Sequence, residues 1–299
     1  MANVLVFGPT GDVGRAAAIA AAKHGAKVWL AMRDPSKTIK GLPESDDFPR
    51  VQADLQDPAS LQTAVKKSGA TAAFVYVIHA STDSMKASFE ALKDAGIKYV
   101  VLLSSYSVQG DASNQDNHVD FINRVHALTE TALEQSGLSF TALRPAYFNT
   151  NLFWNKAGIA KGEVEILYPD IKFDFIAPED IGTVAGTVLS NGKATKPLYL
   201  CGPQLYTMRH VHEDVLAKTL GREIKVIEIG PERFMEVVSF LPKPVAESLV
   251  SGLAKTKDTG VAYEKERYAE AVENIRKYGE TEPVTIEAWL ESNKSAFSA

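Results

Sequence analysis

The chain has 299 residues, of which 45% are hydrophobic and 23% are charged, and its formal net charge is −5. This composition is typical of a folded globular protein large enough to bury a core, either as one large α/β domain or as two smaller ones. The mildly acidic balance disfavours nucleic-acid binding, which needs a basic face.

Three features bear on the compartment. The single cysteine, Cys201, excludes an intrachain disulfide, and its apolar surroundings predict a buried strand thiol. No apolar run reaches the roughly 18 residues that a membrane helix needs. An apolar strand, residues 4–7, begins almost at the first residue and leaves no room for a signal peptide. We therefore expect a cytoplasmic protein without a membrane partner.

The first half of the chain alternates strand-like and helix-like segments. Strands are predicted at residues 3–7, 27–32, 50–53, 72–78, 99–103 and 140–143. Helices are predicted at residues 13–24, 60–68, 84–95 and 119–135. Such alternation predicts a parallel sheet with right-handed crossovers between neighbouring strands.

The second half is less regular. Strands are predicted at residues 163–168, 171–175, 197–201 and 224–228. Helices are predicted at residues 178–190, 208–220, 232–240, 243–253 and 283–293. We expect residues 1–150 to form the sheet domain. Residues 151–299 would form a smaller α+β lobe for the substrate, and both would pack as one compact unit.

A glycine-rich loop follows the first strand and opens the first helix. Gly8 permits the tight turn, Gly11 lets the backbone approach a pyrophosphate, and Gly14 lets the helix pack closely on the strand. The phosphates would lie on the free N–H groups of the helix N-terminus, beside the loop residues Thr10, Asp12 and Val13. This position predicts a Rossmann-type, doubly wound parallel sheet that binds a dinucleotide.

Charges behind the second strand bear on the choice of cofactor. Arg33 follows that strand where a 2′-phosphate is accommodated, and Lys37 is close behind, so we expect NADP(H). Asp34 would instead favour NAD, since a carboxylate at this place holds a ribose 2′-hydroxyl. The alternative for Arg33 and Lys37 is that both are simply solvated.

Two further strand ends supply candidate cofactor contacts. Asp54 and Leu55 follow the third strand, where they would flank the adenine, although Asp54 fits a helix-capping loop equally well. His79 follows the fourth strand, where it either contacts the cofactor or ends the strand. Ser104 ends the fifth strand at the carboxyl edge of the sheet, where ligands bind in this architecture.

Taken together, these motifs resemble the NmrA-like family of atypical short-chain dehydrogenases/reductases, and within it the NAD(P)H:quinone oxidoreductases. The resemblance covers nearly the whole chain and rests on the glycine loop, Arg33, Ala53-Asp54-Leu55, Leu103-Ser104-Ser105, His126-x-x-Thr129-Glu130, Ser136-Gly137-Leu138, Leu143-Arg144-Pro145, Phe148, Pro178-Glu179-Asp180-Ile181-Gly182 and Gly221-Arg222. It implies NADP(H) on the N-terminal lobe and a substrate cleft between lobes. The family contains active reductases and also cofactor-binding regulators without turnover.

The typical catalytic pair of short-chain dehydrogenases, Tyr-x-x-x-Lys, is missing from the helix after the fifth strand. Ile122 and His126 stand at the matching positions, four apart and therefore on one helix face. Ile122 cannot transfer a proton. A Tyr-x-x-x-Lys does occur at residues 168–172, but it contains a proline in a strand-like region, so we discount it.

The remaining catalytic candidates are Ser105, Tyr106 and His126. His126 would hydrogen-bond the ribose or act as an acid, or it would be a packed helix histidine. Tyr106 would donate a proton or form a wall of the substrate pocket. No cluster of His, Cys and carboxylates predicts a metal site.

Bulky side chains of the second half suggest an apolar substrate pocket, unless they are ordinary core. They are Tyr147, Phe148, Asn149, Trp154, Phe173, Phe175 and Tyr206. Tyr147 and Phe148 are also expected beside the cofactor. We therefore predict an NADPH-dependent reductase of an apolar quinone or carbonyl compound. The alternatives are a non-catalytic NADP(H) sensor that binds a protein partner, and a non-redox cyclase or isomerase.

Overall fold

A seven-stranded parallel sheet forms the centre of the fold in a computed structural model of the chain, which describes residues 2–42, 45 and 47–297. The strand order is β3-β2-β1-β4-β5-β6-β9. The strands are β1 (Asn3–Phe7), β2 (Lys27–Met32), β3 (Arg50–Gln52), β4 (Ala72–Tyr76), β5 (Tyr99–Leu103), β6 (Ser139–Pro145) and β9 (Leu198–Leu200). The predicted doubly wound α/β fold is confirmed. The chain reverses direction across the sheet between β1 and β4, which is where such folds bind ligands.

Helices cover both faces of this sheet, so its strands are apolar on both sides. One face carries α1 (Asp12–Lys23), α6 (Pro178–Asn191) and α11 (Lys265–Gly279), and the other carries α2 (Pro58–Ser68), α3 (Lys86–Ala95) and α4 (Phe121–Gln135). Strand β1 shows why: Val4 and Val6 join the first core, whereas Leu5 and Phe7 join the second. No helix in the described ranges is long and apolar enough to cross a bilayer.

Helices α1 and α6 approach each other unusually closely, and small residues make this possible. A Cβ at Gly182 would lie 2.4 Å from the Cβ of Ala16, and one at Gly186 would lie 2.4 Å from the carbonyl of Ala17. Neither position therefore accepts a side chain. This contact holds a helix from the second half of the sequence against the helix of the glycine loop.

A second, smaller lobe has its own core beside the carboxyl edge of the sheet. Its strands are β7 (Glu163–Leu167), β8 (Lys172–Phe173), β10 (Tyr206–Thr207) and β11 (Lys225–Ile229). They form two small sheets, in which β7 pairs with β11 in parallel and β8 with β10 antiparallel. Its helices are α5 (Lys156–Lys161), α7 (Met208–His210), α8 (Ala217–Leu220), α9 (Pro231–Val237), α10 (Lys243–Thr256) and α12 (Ile286–Asn293).

The sequence-based description of the second half needs three corrections. The sheet is not confined to residues 1–150, because β9 pairs with β6 and both α6 and α11 cover the same face. Helix α11 was missed altogether. The predicted helix over residues 208–220 is interrupted, because a π-helical stretch, Val211–Leu216, separates α7 from α8.

Candidate functional site

The structure gives a different reason for glycine at each of the three loop positions 8, 11 and 14. Gly8 adopts φ +68°, and a Cβ there would lie 2.9 Å from the ring of Tyr76. A Cβ at Gly14 would lie 2.3 Å from the Gly8 carbonyl, so the turn itself requires glycine at both positions. Gly11 has an ordinary extended conformation, and its Cβ would meet only the Gly8 carbonyl, at 3.5 Å. Packing within the protein therefore does not demand glycine at 11, and the space beside it is open.

That space is part of a cavity of about 540 Å³ at the carboxyl ends of β1 and β4, called the glycine-loop cavity below. It is lined by Phe7, Gly8, Thr10, Gly11, Asp12, Val13, Gly14, Phe74, Tyr76, Val77, His79, Leu103, Ser104, Ser105, His126, Pro145, Ala146 and Phe148. Helix α1 begins at its edge, and no side chain caps the N–H groups of the first turn. These amides and the helix dipole suit an anion such as a pyrophosphate.

Five predicted cofactor residues do not line this cavity: Arg33, Lys37, Asp54, Leu55 and Tyr147. Arg33 and Lys37 are exposed, and the positive charge of Arg33 acts on Tyr76, which does line the cavity. Asp54 accepts a hydrogen bond from the Gln56 N–H at 3.0 Å, and Leu55 is buried. These two residues shape a loop near the cavity rather than its wall.

The carboxylate of Asp34 is engaged within its own turn. Its Oδ1 accepts hydrogen bonds from the Ser36 N–H at 3.0 Å and the Ser36 hydroxyl at 2.6 Å. These bonds hold the pKa of Asp34 below its usual value. In the described part of the chain, the guanidinium of Arg33 makes no hydrogen bond or ion pair. Arg33 is therefore the group at this strand end that remains available to a ligand.

His126 lies on α4 with its ring against the cavity and is 9% exposed. Its Nδ1 lies 2.9 Å from the Ile122 carbonyl, which can only accept, so Nδ1 carries the hydrogen. Burial lowers the pKa of His126 to about 4. The imidazole is thus neutral at pH 7 and offers an unprotonated Nε2. The ring centroid of His79 lies 5.2 Å away.

Ser104 is buried, and its hydroxyl is part of a buried polar network. Its hydroxyl donates to Glu130 Oε1 at 2.5 Å, and Glu130 in turn pairs with Arg144. Arg144 also donates to the carbonyl of Gly110 and to the hydroxyl of Tyr199, both at 2.8 Å. The network ties the loop after β5 to α4 and β6. Glu130 and Arg144 both belong to the sequence motifs named above, but nothing in those motifs indicates that the two residues pair.

Unlike Ser104, Ser105 accepts hydrogen bonds through its side-chain oxygen and keeps its own hydrogen free. Its oxygen accepts from the Ser107 N–H at 3.2 Å and from the Ser107 hydroxyl at 2.9 Å, so its own hydrogen remains available. Tyr106 packs its ring edge-on against Tyr199 and Tyr263, at 5.3 and 5.1 Å between centroids. Across the described residues, no hydrogen bond reaches the Tyr106 hydroxyl. Its role as proton donor therefore receives no support from a neighbouring group.

A second cavity of about 330 Å³, called the apolar cavity below, meets the first at Ser105, Pro145 and Ala146, which line both. Its apolar and aromatic wall consists of Tyr106, Ile122, Pro145, Ala146, Tyr147, Trp154, Ile166, Leu167, Phe173, Met208, Phe234, Val237, Val238, Leu249, Leu253, Ala262 and Tyr263. The polar residues in its lining are Ser105, Ser107, Asp120, Asn123, Asn155, Glu165, Ser248 and Thr256. Of the predicted pocket aromatics, Tyr147, Trp154 and Phe173 line it. Phe148 lines the glycine-loop cavity, and Asn149, Phe175 and Tyr206 line neither.

Helices α9 and α10 close the apolar cavity, and no sequence motif indicates this role. The Ser248 hydroxyl of α10 donates to Asp120 at 2.5 Å and accepts from the Ile122 N–H at 3.1 Å. This joins α10 to the N-terminus of α4, directly beside the cavity. A helical pattern predicted α10, but nothing in it indicated which face of the protein it covers. Among the described residues, no cluster of three or more His, Cys, Asp or Glu side chains is placed to bind a metal ion.

These features define a Rossmann-type α/β protein with a glycine-loop cavity beside an apolar cavity. The chain belongs to the NmrA-like family, which matches residues 1–290. It is 35% identical to the nitrogen metabolite regulation-like protein bik4 of Gibberella fujikuroi, over 91% of this chain and 90% of that protein. It is 29% identical to a (4-alkanoyl-5-oxo-2,5-dihydrofuran-3-yl)methyl phosphate reductase of Streptomyces griseus, over 86% and 88%. The structure of NADPH-dependent quinone oxidoreductase QOR2 from Escherichia coli, complexed with NADPH, superposes with a TM-score of 0.72 at 19% identity, over 98% of this chain and 99% of that one.

Proposed function

We propose that the glycine-loop cavity binds NADP(H). The open space at Gly11 admits a pyrophosphate, which the uncapped N–H groups at the start of α1 would hold. Arg33, backed by Lys37, would pair with the 2′-phosphate, because Asp34 is already bonded within its turn. The relative from Escherichia coli, solved with NADPH, supports this assignment.

At the other end of the cavity, His126, His79, Phe148 and the residues after β5 would surround the nicotinamide and its ribose. The neutral His126 would accept a hydrogen bond from a ribose hydroxyl through Nε2. Asp54 and Leu55 would flank the adenine, and Tyr147 would border the nicotinamide from the side of the apolar cavity. The cofactor supplies a hydride when bound.

We propose that the protein is an NADPH-dependent reductase of an apolar quinone or carbonyl compound. The observation that carries this proposal is the shared boundary of the two cavities at Ser105, Pro145 and Ala146. An acceptor in the apolar cavity would lie next to the nicotinamide end of the cleft. The Ser105 hydroxyl would donate a hydrogen bond to the acceptor oxygen, Tyr106 would form a wall, and the lobe beyond residue 150 would enclose the substrate.

The test combines an acceptor panel with a variant that fills the apolar cavity. Gly252 lies on the wall, and a Cβ there meets no atom within 4 Å, so the backbone accepts a side chain at this position and Gly252→Phe adds bulk beside the cavity. We expect the wild type to oxidise NADPH with a quinone, enone or aromatic ketone. Gly252→Phe should lower kcat/KM at least about tenfold while NADPH affinity is unchanged.

Ala254→Phe is the matched control, because Ala254 lies on the same helix, is exposed and does not line the cavity. It should behave as the wild type does. Oxidation of NADPH that is equally fast in the Gly252→Phe variant would show that the acceptor binds elsewhere.

A second candidate function is regulation through NADP(H) binding and a protein partner. The similarity to bik4, described as nitrogen metabolite regulation-like, favours it. Tight NADPH binding without oxidation by any member of the panel would support this candidate against the reductase.

A further inference from the structure

The wall of the apolar cavity contains a tyrosine, Tyr263, that the proposed function does not yet use. Tyr263 lines the cavity, and its hydroxyl donates a hydrogen bond to Oδ1 of Asp174 behind it. Asp174 is 2% exposed. Burial penalises the charged form of a carboxyl group, so a carboxyl group buried this deeply requires hydrogen-bond donors around it.

The remaining bonds of Asp174 place this pair at the boundary of the two cavities. The Tyr147 N–H donates to the same Oδ1 at 2.9 Å, and Tyr147 directly follows Pro145 and Ala146, which line both cavities. The Tyr263 hydroxyl and the Tyr147 amide therefore meet on one oxygen atom. This shared oxygen atom ties Tyr263 to the segment that carries the boundary residues Pro145 and Ala146.

Gly202 completes the setting of the carboxyl group. Its N–H donates to Asp174 Oδ2 at 2.8 Å, and a Cβ at Gly202 would lie 2.0 Å from the Asp174 carbonyl. No side chain fits between the two segments. The carboxyl group is therefore held rigidly by two backbone amides and one hydroxyl.

The titratable groups that face Asp174 from the packed segments are neutral at pH 7. They are Tyr147, Cys201, Tyr263 and Tyr268. Arg267 and Glu264 act on the neighbouring Tyr106. Burial raises the pKa of Asp174 to about 6. This carboxyl group can therefore hold or release a proton near neutral pH, which an exposed aspartate cannot do.

We infer that Tyr263, supplied with a proton by Asp174, is the acid that protonates the acceptor oxygen. The inference rests on the proposed reductase function. As the hydride and its electron pair reach the acceptor carbon, the C=O π bond breaks and the oxygen takes the Tyr263 proton. When Asp174 is protonated, it donates its hydrogen to the Tyr263 oxygen, and the Tyr263 hydrogen turns from Asp174 to the acceptor. As Tyr263 gives up that hydrogen, the Asp174 proton passes to the Tyr263 oxygen and leaves a carboxylate, which is protonated again through Tyr263 after product release.

This arrangement explains how a site with Ile122 in place of the usual tyrosine reduces a carbonyl group. Ile122 and Tyr263 line the same cavity but come from different elements, α4 and the loop before α11. In this proposal the proton-donating tyrosine lies in the loop before α11 and not on α4. Asp174 acts through Tyr263 and is a positioning residue and proton store.

The experiment compares two kinds of acceptor in Tyr263→Phe. A ketone needs a hydride and a proton, whereas a stable triarylmethyl cation needs the hydride alone. We expect kcat for the ketone to fall about 10²- to 10⁴-fold, while reduction of the cation and NADPH affinity stay within about twofold of wild type. The control is Tyr268→Phe, which removes a hydroxyl bonded to the Gly202 carbonyl but not lining the cavity. It should keep both activities.

Asp174→Asn adds a readout that a merely structural role would not change. In the wild type, ketone kcat should fall as pH rises through about 6, and the variant should lose this dependence. NMR of protein labelled with ¹³C at aspartate should show a carboxyl that titrates near 6 and disappears in Asp174→Asn, whether or not cofactor is present. A Tyr263→Phe enzyme that reduces the ketone at the wild-type rate would overturn the inference alone. A wild type that reduces no acceptor would overturn the proposed function together with it.

Discussion

Glu130 and Arg144 form a bidentate ion pair inside the protein. Nε of Arg144 lies 3.0 Å from Oε1, and Nη2 lies 2.6 Å from Oε2. Both side chains are almost fully buried, at 3% and 2% exposure. Because Ser104 donates to the same carboxylate, the pair fixes the strand end that lines the glycine-loop cavity.

Removing one charge of this pair should be costly. Glu130→Gln leaves the Arg144 guanidinium buried without a counter-charge, which costs about 3–5 kcal/mol. Urea denaturation measures the loss. Glu270→Gln is the control, since it breaks the exposed pair between Lys196 and Glu270 and should change stability by less than about 1 kcal/mol. Equal losses of unfolding free energy in the two variants would mean that the buried pair stabilises the protein no more than the exposed pair does.

The loop glycines should separate folding from cofactor binding. Gly14→Ala places a Cβ 2.3 Å from the Gly8 carbonyl and should cost about 1–3 kcal/mol of stability or more. Gly11→Val occupies only the open cavity, so it should fold with a loss of about 1 kcal/mol but bind no NADPH. Thermal unfolding and calorimetry measure the two effects. Unchanged NADPH affinity in a folded Gly11→Val protein would rule out this cavity as the cofactor site.

Cofactor choice should depend on Arg33. A charge-assisted hydrogen bond contributes about 1.5–3 kcal/mol, so Arg33→Ala should weaken NADPH binding by about 10- to 100-fold. NADH lacks the 2′-phosphate and should be unaffected. Calorimetry with both cofactors decides the matter, with Lys37→Ala expected to show a smaller effect of the same kind. Equal weakening of NADPH and NADH would exclude Arg33 as the phosphate ligand.

His126 should act as a hydrogen-bond acceptor and not as an acid. Its pKa of about 4 keeps it neutral across pH 6–8, so it adds no pH dependence to NADPH affinity there. His126→Ala should weaken NADPH by about 0.5–1.5 kcal/mol, with a smaller effect on saturated rate. Calorimetry at pH 6 and pH 8 checks the first point. An imidazole that titrates near 6.5 in the folded protein would contradict this role.

Stability should vary with pH through Asp180 on α6. Burial raises the pKa of this carboxyl to about 7, while its Oδ2 accepts the Val284 N–H at 2.8 Å. The unfolded chain releases the proton first, so stability is lost as pH rises from about 4 to 7 and stays lost above. Asp180→Asn should therefore be about 1–4 kcal/mol more stable than the wild type at pH 8, and the difference should be much smaller at pH 4. A stability difference between Asp180→Asn and the wild type that is the same at both pH values would contradict this prediction.

The N-terminal sheet was predictable because its signals are local. Apolar runs mark strands that are buried on both faces, and the spacing from Gly8 to Gly14 marks the loop that joins β1 to α1. The loop that lines the glycine-loop cavity could therefore be located from sequence.

Long-range contacts account for what was missed. Glu130 pairs with a residue 14 positions away, and Tyr263 meets an aspartate 89 positions away. No local pattern indicates such partners. Helix α11 is a different case, because Ala271, Val272 and Ile275 recur at helical spacing and are buried. That signal was present in the sequence.

The central claim is that hydride passes from the glycine-loop cavity to an acceptor in the apolar cavity. The most direct measurement uses NADPH deuterated on one or the other face of the nicotinamide, with mass spectrometry of a reduced ketone or enone, in which the transferred hydride forms a C–H bond that does not exchange with water. The two cavities meet at one boundary, so deuterium should reach the product from one face only, at one atom per molecule. Product that carries no deuterium with either labelled cofactor, or substrate converted without loss of NADPH, would contradict the claim.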